Sequence, residues 1–346
     1  MKKATLFGGF LLITLLSMAQ QKKGFQIKQH PEKKDVSITY NGKLITSYCW
    51  YDSIKKPVLF PLNTLDGITV TRGFPLAPRP GERTDHPHHI GLWMNYESVN
   101  GLDFWNHSTA IPFEKRNGYG TILHQRISSQ KANATSAQLT TTANWVRPDG
   151  VVLLDETTTY LFTVQKSILL IDRTTTLTAR DTTVVFNDVK DGFLAIRVAR
   201  ELELPSQQAD VFVDAQGNKT TVAKVDNEGV SGMYYSSTGL RGDSVWSSQA
   251  PWVYLKGKKE GKQITIGIID HSENVGYPTY WHARGYGLFA LNPLGRAVFS
   301  NGKETLHFSL APHAAATFKY RIVVASGNEV TEAQMNAFAT AFGKTK

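Results

Sequence analysis

The sequence has almost no cysteine, since Cys49 is the only one among its 346 residues. An internal disulfide is therefore excluded, and packing must stabilise the fold. Cys49 itself lies in the apolar run 45–51. We expect it to be a small buried hydrophobic side chain and not a nucleophile.

The sequence also lacks an apolar run of the roughly 20 residues that are needed to span a bilayer. The nearest approach is 7–18, which follows Lys2 and Lys3 and ends just before Ala19. A basic start, a short apolar run and a small residue are typical of a secretory signal peptide. The sequence therefore predicts cleavage after Ala19. The mature chain, 20–346, is expected to have no membrane span and to lie in the periplasm or outside the cell; an uncleaved anchor is the alternative.

The motifs of several large protein classes are missing as well. There is no G-x-G-x-x-G after a strand, no P-loop, no G-x-S-x-G and no H-E-x-x-H, which argues against nucleotide-dependent enzymes, esterases and zinc proteases. No nucleic-acid-binding motif is recognisable, so we expect no nucleic-acid partner. The net charge of +9 favours an anionic partner such as an acidic polysaccharide. Some of the basic residues, including Lys55 and Lys56, lie in short lysine patches that are typical of solvated turns.

What the sequence does contain is a period-two alternation rich in Thr, Val, Ile and aromatic residues, broken by Gly, Asn, Asp and Pro. This pattern predicts an all-β fold, a large antiparallel β-sandwich in which threonines line a solvated face. Strands and helices do not alternate, which disfavours an α/β fold. The clearest predicted strands are 36–40, 43–49, 120–127, 138–145, 151–163, 168–178, 193–199, 264–269 and 315–324.

One helix is predicted at the C-terminal end, over about 331–342. Thr331 and Gln334 form a capping-box pattern, an apolar stripe follows, and Gly343 ends it. We expect this helix to pack on the outside of the sandwich. Neither a repeat nor a biased linker divides the chain, so 20–346 is predicted to be a single domain, and 206–244 is the best candidate for a large insertion or loop.

Histidines are concentrated in one segment, which begins Asp85-His86-Pro87-His88-His89 and continues to Asp103 and His107. Pro87 favours an extended backbone at His86, so that His86 and His88 would project to the same face and could share a ligand. A divalent metal ion is one candidate for that ligand. A structural loop, and catalysis or sugar binding without a metal, are the other interpretations.

A second group of polar side chains lies in the segment 277–284. If this segment is extended, Tyr280, His282 and Arg284 share one face and offer a phenol, a general acid or base and a cation, while Trp281 points into the core. Such groups beside aromatic rings are suited to binding a sugar. The alternative is a core strand in which the polar ends of these side chains are hydrogen-bonded within the protein.

Further charged residues lie elsewhere in the sequence. Glu156 is a candidate inward-facing carboxylate, and Arg197, Arg200 and Glu201 are interpreted as an ion-pair ladder more readily than as a binding patch.

Three stretches resemble the secreted family labelled "PmoA-like": DHPHHIGLW at 85–93, NGLDFW at 100–105, and PTYWH at 278–282 running on to NPLG at 292–295. The likeness extends over roughly 25–324. The label refers to a methane monooxygenase subunit, an integral copper protein, which a chain without spanning helices cannot be. The family looks like part of bacterial glycan-degradation repertoires. The resemblance therefore implies a carbohydrate-related role, without supplying a reaction.

The leading hypothesis is an exported carbohydrate-active enzyme, a hydrolase or lyase that acts on a glycan or glycoside, with a mutarotase-like supersandwich as a fold subtype by analogy. A non-catalytic glycan-binding protein and a metal-dependent oxidase are the alternatives. The residues expected to act in catalysis are His86, His88, His89, Tyr280 and His282; those expected to bind substrate are Asp103, Trp105, His107, Glu156 and Arg284; His86 and His88 are the candidate metal ligands.

Overall fold

The computed structural model describes residues 23–214, 216, 218–222, 226–327 and 330–345. The predicted signal peptide, 1–19, lies outside these residues. No helix among them is long and apolar enough to cross a membrane.

The described residues form twenty strands and two α-helices. The strands are β1 (Phe25–His30), β2 (Asp35–Tyr40), β3 (Lys43–Cys49), β4 (Val58–Leu62), β5 (Leu92–Tyr96), β6 (Thr121–Ala132), β7 (Ser136–Val146), β8 (Val152–Gln165), β9 (Ile168–Ala179), β10 (Val184–Phe186), β11 (Gly192–Arg197), β12 (Asp210–Val213), β13 (Lys219–Val222), β14 (Met233–Ser236), β15 (Trp252–Lys259), β16 (Lys262–Asp270), β17 (Tyr280–Arg284), β18 (Leu288–Asn292), β19 (Phe308–Leu310) and β20 (Ala315–Ser326). The helices are α1 (Arg296–Phe299) and α2 (Glu332–Phe342).

Two eight-stranded antiparallel sheets make up the sandwich. Sheet I has the strand order β1-β2-β3-β4-β5-β11-β18-β17, and sheet II has the order β14-β15-β16-β20-β9-β8-β7-β6. Two short antiparallel strand pairs, β10-β19 and β12-β13, lie outside them. The predicted all-β antiparallel sandwich is confirmed, and each of the nine predicted strands corresponds to a strand of the structure.

The main core lies between the two sheets, where alternate residues of facing strands interdigitate. Phe193 of sheet I meets Phe318 of sheet II with ring centroids 4.6 Å apart. Trp281 is fully buried in this core, as predicted. The opposite face of sheet II is the predicted threonine face, on which the hydroxyls of Thr140 and Thr159 hydrogen-bond across β7 and β8 at 3.0 Å.

Helix α2 packs on that outer face of sheet II, in the position that the sequence predicts. The Thr331 hydroxyl accepts a hydrogen bond from the Gln334 backbone N–H, and the Gln334 side chain reaches back to the Thr331 backbone. Met335, Phe338 and Phe342 are buried on residues of β9, β15, β16 and β20. Satisfied N-terminal N–H groups and an apolar stripe together hold the helix on the sheet.

The outer face of sheet I is where polar side chains collect. Strand register places Trp93, Ala195, Ala290 and His282 in one row across β5, β11, β18 and β17. The adjacent row holds Arg197, Leu288 and Arg284. The side chains of the two alanines are small, so loops can pack closely onto the middle of this face.

The described residues of the predicted insertion, 206–244, form strands as well as loop. It contains the β12-β13 pair and also β14, which joins the edge of sheet II. Phe212 of β12 forms an isolated bridge with Arg83. The insertion thereby contacts the loop that covers sheet I.

Cys49 is fully buried beneath the outer face of sheet I, among Val58, Trp93 and their neighbours. Burial raises the pKa of its thiol to about 12. The prediction that Cys49 is buried is confirmed.

Candidate active site

A cavity of about 490 Å³ opens at the end of sheet I, beside the Arg197 and Arg284 row. Its walls come from the segment before β5, the end of β17, the turn 242–246 and the segment 204–210. Its lining residues are Arg83, Asp85, His86, Leu204, Pro205, Ser206, Gln208, Ala209, Asp210, Asp243, Trp246, Ala283, Arg284, Gly285 and Tyr286. The histidine segment and the end of the 277–284 segment therefore meet here.

The histidine segment is folded around a buried guanidinium. Arg72 donates from Nη1 to the carbonyls of Arg83 and Asp85, and from Nη2 to those of His86 and His89, at 2.8–3.2 Å. The His89 N–H closes a turn onto the His86 carbonyl at 3.0 Å. His86 has a φ of +42°, so the predicted extended backbone is wrong. Four carbonyls on one cation outweigh the local preference that Pro87 imposes.

Asp85 is the charged centre of this turn. Its Oδ1 accepts hydrogen bonds from Arg72 Nη1 and Arg197 Nη2, each at 2.7 Å, and its Oδ2 accepts one from His86 Nδ1. Burial acts to raise the pKa of the Asp85 carboxyl, but the hydrogen bond from His86 and the two guanidiniums outweigh it and hold the pKa well below its usual range. Asp85 is therefore a carboxylate that orients His86.

His86 is the one predicted catalytic histidine that lines the cavity. Its side chain is 42% exposed, and its ring is stacked between Tyr286, at 5.2 Å, and His89, at 4.7 Å. Both ring faces are covered and Nδ1 is bound to Asp85, so the exposed edge carries Nε2. A neutral His86 can accept a proton there from a molecule in the cavity.

His88 and His89 do not reach the cavity, because both are buried beneath the turn. Burial lowers the pKa of each ring well below the usual value, and the neighbouring charges add to this. His89 Nδ1 accepts a hydrogen bond from Arg197 Nη1 at 3.2 Å, which places the proton of the neutral ring on Nε2. Both rings are neutral parts of the support behind His86, and neither is placed to touch a substrate.

Tyr280 and His282 share a face of β17 with Arg284, as predicted, but only Arg284 lines the cavity. Phe299 covers the other two, with ring centroids 5.6 Å from Tyr280 and 5.9 Å from His282. Burial, with nearby cations, lowers the pKa of His282 to about 3. The approach of its Nδ1 to Asp191 Oδ1, at 3.7 Å, is therefore not an ion pair at neutral pH. Burial raises the pKa of Tyr280.

Asp103, Trp105 and His107 lie outside the cavity lining as well. Asp103 accepts hydrogen bonds from the backbone and side chain of Asn106, at 2.8 and 2.9 Å. Trp105 is buried against Trp93 and His89. His107 Nδ1 donates to the Gly120 carbonyl at 2.8 Å. Each side chain holds the loop that follows β5, and none faces the cavity.

Glu156 is on the other sheet. It projects from β8 into the space between the sheets and accepts hydrogen bonds from Trp145 Nε1 at 2.9 Å, from Thr158 at 2.7 Å and from Arg173 Nη2 at 3.3 Å. Glu156 therefore lies away from the cavity beside His86, and substrate binding by this residue stays a prediction. Alternation along β8 turns this side chain inward, where Arg173 neutralises it.

Several supporting residues were missed or misinterpreted from the sequence. Lys56 is not in a solvated turn, since it is only 3% exposed and its Nζ donates to the His88 carbonyl at 2.8 Å. Burial lowers its pKa to about 7. Arg197 does not pair with Glu201 but with Asp85, and Glu201 binds Lys259. For Lys56 a signal existed, because the apolar strand β4 begins two residues later.

The side chains around the histidine turn, 86–89, do not form an evident metal site. No group of three or more His, Cys, Asp or Glu side chains is arranged to hold a metal ion in the part of the chain that the structure describes. The His86 and His88 rings lie 5.6 Å apart at 76°. Metal binding by these two residues stays a prediction.

Solved structures similar to this chain include three sugar-related proteins. They are the galactosidase domain of an alpha-galactosidase–sucrose kinase (11% identity, TM-score 0.39, 87% of this chain and 41% of that one), a putative aldose 1-epimerase from Escherichia coli K12 (12%, 0.27, 87% and 98%), and a galactose mutarotase-like protein from Clostridium acetobutylicum (9%, 0.32, 88% and 98%). The likenesses are too remote to transfer an activity.

No protein of curated function matches the sequence. The "PmoA-like" resemblance and its glycan context stay predictions. A family model does match residues 35–340, and the chain belongs to that family, which is a family of unknown function (DUF6807).

Proposed function

We propose that the protein is an exported carbohydrate-active enzyme, a hydrolase or lyase that acts on a glycan or glycoside in the cavity beside His86. The observation that carries the proposal is the pairing of an oriented, accessible imidazole with aromatic and charged side chains in one cavity. Aromatic rings stack on the C–H face of a sugar while polar groups bind its hydroxyls. Trp246 supplies an aromatic ring, and Arg284 supplies hydrogen-bond donors.

In this proposal His86 is the general acid and base. Asp85 holds the proton on Nδ1, so that Nε2 can take a proton from a water or from the substrate and later return it. Asp85, Arg72 and Arg197 are positioning residues, because Asp85 sets the orientation of the ring directly and the two arginines act through Asp85. Arg284 stacks on Trp246 at 5.5 Å, and its planar donors face the cavity to bind substrate oxygens.

A glycan-binding protein without catalysis is the second candidate. The observation in its favour is the burial of His88, His89 and His282, which leaves one accessible imidazole where the sequence predicted four catalytic ones. A binder needs the aromatic and polar walls of the cavity but no proton transfer. The two candidates therefore differ in what His86 does.

The variant His86→Ala tests the proposal. Candidate glycans are first identified by binding to the wild-type protein, and product formation is then followed for each ligand that binds. We expect His86→Ala to lose turnover by about 10²- to 10⁴-fold, the usual contribution of a general acid or base, while the dissociation constant for the glycan changes far less. His313→Ala is the matched control, since His313 is a highly exposed histidine with its side chain 75% accessible.

Each outcome has a definite meaning. Loss of turnover with retained binding supports the enzyme, and unchanged turnover in His86→Ala removes His86 from catalysis. Binding without turnover in the wild-type protein, across all glycans that bind, supports the non-catalytic candidate. Absence of glycan binding overturns both.

A further inference from the structure

A second cavity, of about 370 Å³, lies on the other side of Lys56 from the histidine turn. Its walls are the segment 50–57, which connects β3 to β4, the start of β6, and Lys34. Lys56 lines this cavity while its Nζ reaches back to the His88 carbonyl. The two cavities share no lining residue, so a ligand here would not occupy the His86 site.

One wall of the second cavity is aromatic and fixed in place. The Trp50 indole packs on the His124 ring with centroids 4.2 Å apart at 31°. His124 is itself held by a hydrogen bond between its Nδ1 and the Tyr48 hydroxyl at 3.1 Å. Burial lowers the pKa of His124 to about 4, so this wall carries no charge at neutral pH. A rigid aromatic wall costs little entropy when a sugar ring packs on it.

The remaining walls carry unbalanced positive charge. Asp52 is the carboxylate of the lining, and Lys34 pairs with it. Lys55 has no carboxylate partner among the described residues, and Lys56 lies in the wall behind it. In the first cavity, by contrast, Arg83 and Arg284 face three aspartates. Positive charge in excess of carboxylates favours an anionic ligand.

We propose that the second cavity binds a carboxylate-bearing sugar residue, a uronate, with its ring against Trp50 and its carboxylate on Lys55. The volume is at the lower end of ordinary small-ligand sites, about 300–1,000 Å³, and suits one sugar ring. An aromatic wall without the cation would take a neutral sugar. A cation without the wall would take any small anion, so the combination selects the acidic sugar.

D-glucuronate and D-glucose form a matched pair of probes for this cavity. Calorimetric titration of the wild-type protein should show glucuronate binding at least about tenfold more tightly than glucose, a difference of roughly 1.4 kcal/mol. The preference should weaken as salt is raised, because the lysine is near the surface. Inorganic phosphate serves as a third probe, for an anion without a sugar ring.

Variants separate the contribution of the lysine from that of the aromatic wall. We expect Lys55→Gln to lose most of the preference for glucuronate over glucose, and Trp50→Ala to weaken both sugars alike. Lys258→Gln is the control, since Lys258 is an exposed lysine on a distant strand. Thermal unfolding of each variant shows that it is folded before binding is compared.

The inference is overturned if glucuronate and glucose bind equally or not at all. It is also overturned if phosphate displaces glucuronate from a site that Trp50→Ala leaves intact, which would make the cavity an unselective anion site. His86→Ala should leave glucuronate binding at this cavity unchanged. Failure of the proposed enzyme and failure of this second site are therefore separate results.

Discussion

Lys56 shows how a single buried amino group can organise a neighbouring site. Its Nζ lies 5.4 Å from the centre of the Trp93 ring and donates to the carbonyl of His88, within the turn that presents His86. Arg72 binds four other carbonyls of the same loop. Two buried basic side chains thus determine the path of the backbone, and the orientation of His86 follows from that path.

The variant Lys56→Met tests the cost of burying this lysine. The pKa of Lys56 is about 7 in the folded state against about 10.4 in an unfolded chain. Between these values the unfolded state binds a proton that the folded state has released, so the free energy of unfolding should rise as pH increases. From pH 7 to pH 9 we expect the titration of Lys56 alone to add roughly 2 kcal/mol to the free energy of unfolding.

Denaturant unfolding of both proteins at pH 7 and pH 9 measures this gain. In Lys56→Met the contribution of this group should be absent, while the other titrating groups are common to both proteins and cancel in the comparison. An equal pH dependence of the two proteins would show that Lys56 stays protonated in the folded state.

The sequence predicts which segments form the site better than it predicts which of their residues reach the cavity. The sequence indicates 85–89 and 280–284 as functional segments, and both contribute to one cavity. Alternation in β17 also places Tyr280, His282 and Arg284 on one face. The sequence carried no signal that Phe299, in a four-residue helix far along the chain, would cover the first two. Burial by a distant element decides which of the three can meet a ligand.

At the scale of elements, a strand is easier to recognise in the sequence when it buries only one of its two faces. Strands such as β8 and β9 have one core face and one solvated face, and their alternation was recognised. All five residues of β5 and all five of β18 are buried, because loops cover the outer face of sheet I there. A strand buried on both faces shows no alternation, and neither β5 nor β18 is among the predicted strands, although β11, which is buried throughout as well, is.

Helix α2 offers a test at this scale, because one cap holds its start. Thr331→Ala removes the acceptor for the Gln334 N–H and should lower the free energy of unfolding by about 1 kcal/mol. Thr331→Ser keeps the hydroxyl and should retain most of the stability. Denaturant unfolding compares the three proteins. Equal loss in both variants would mean that the methyl group, not the hydrogen bond, stabilises the helix.

At the scale of the whole molecule, the main core belongs to both sheets at once. Phe193 of sheet I packs on Phe318 of sheet II, and Tyr48 of sheet I lies 6.0 Å from Tyr160 of sheet II. Each sheet buries its inner face against the other, and the apolar clusters on the two outer faces are smaller than this shared core. This sharing supports the prediction that the mature chain is a single domain.

A shared core should make residues 20–346, the mature chain that the sequence predicts, unfold in one cooperative transition. Tryptophan fluorescence reports on the interface through Trp145 of sheet II and Trp281 of sheet I, which are both buried in the main core. Far-ultraviolet circular dichroism reports on the strands themselves. We expect the two signals to give the same denaturant midpoint, because separating the sheets exposes the core that stabilises each of them. A midpoint for fluorescence well below that for circular dichroism would show that the sheets survive apart, and would contradict the single domain.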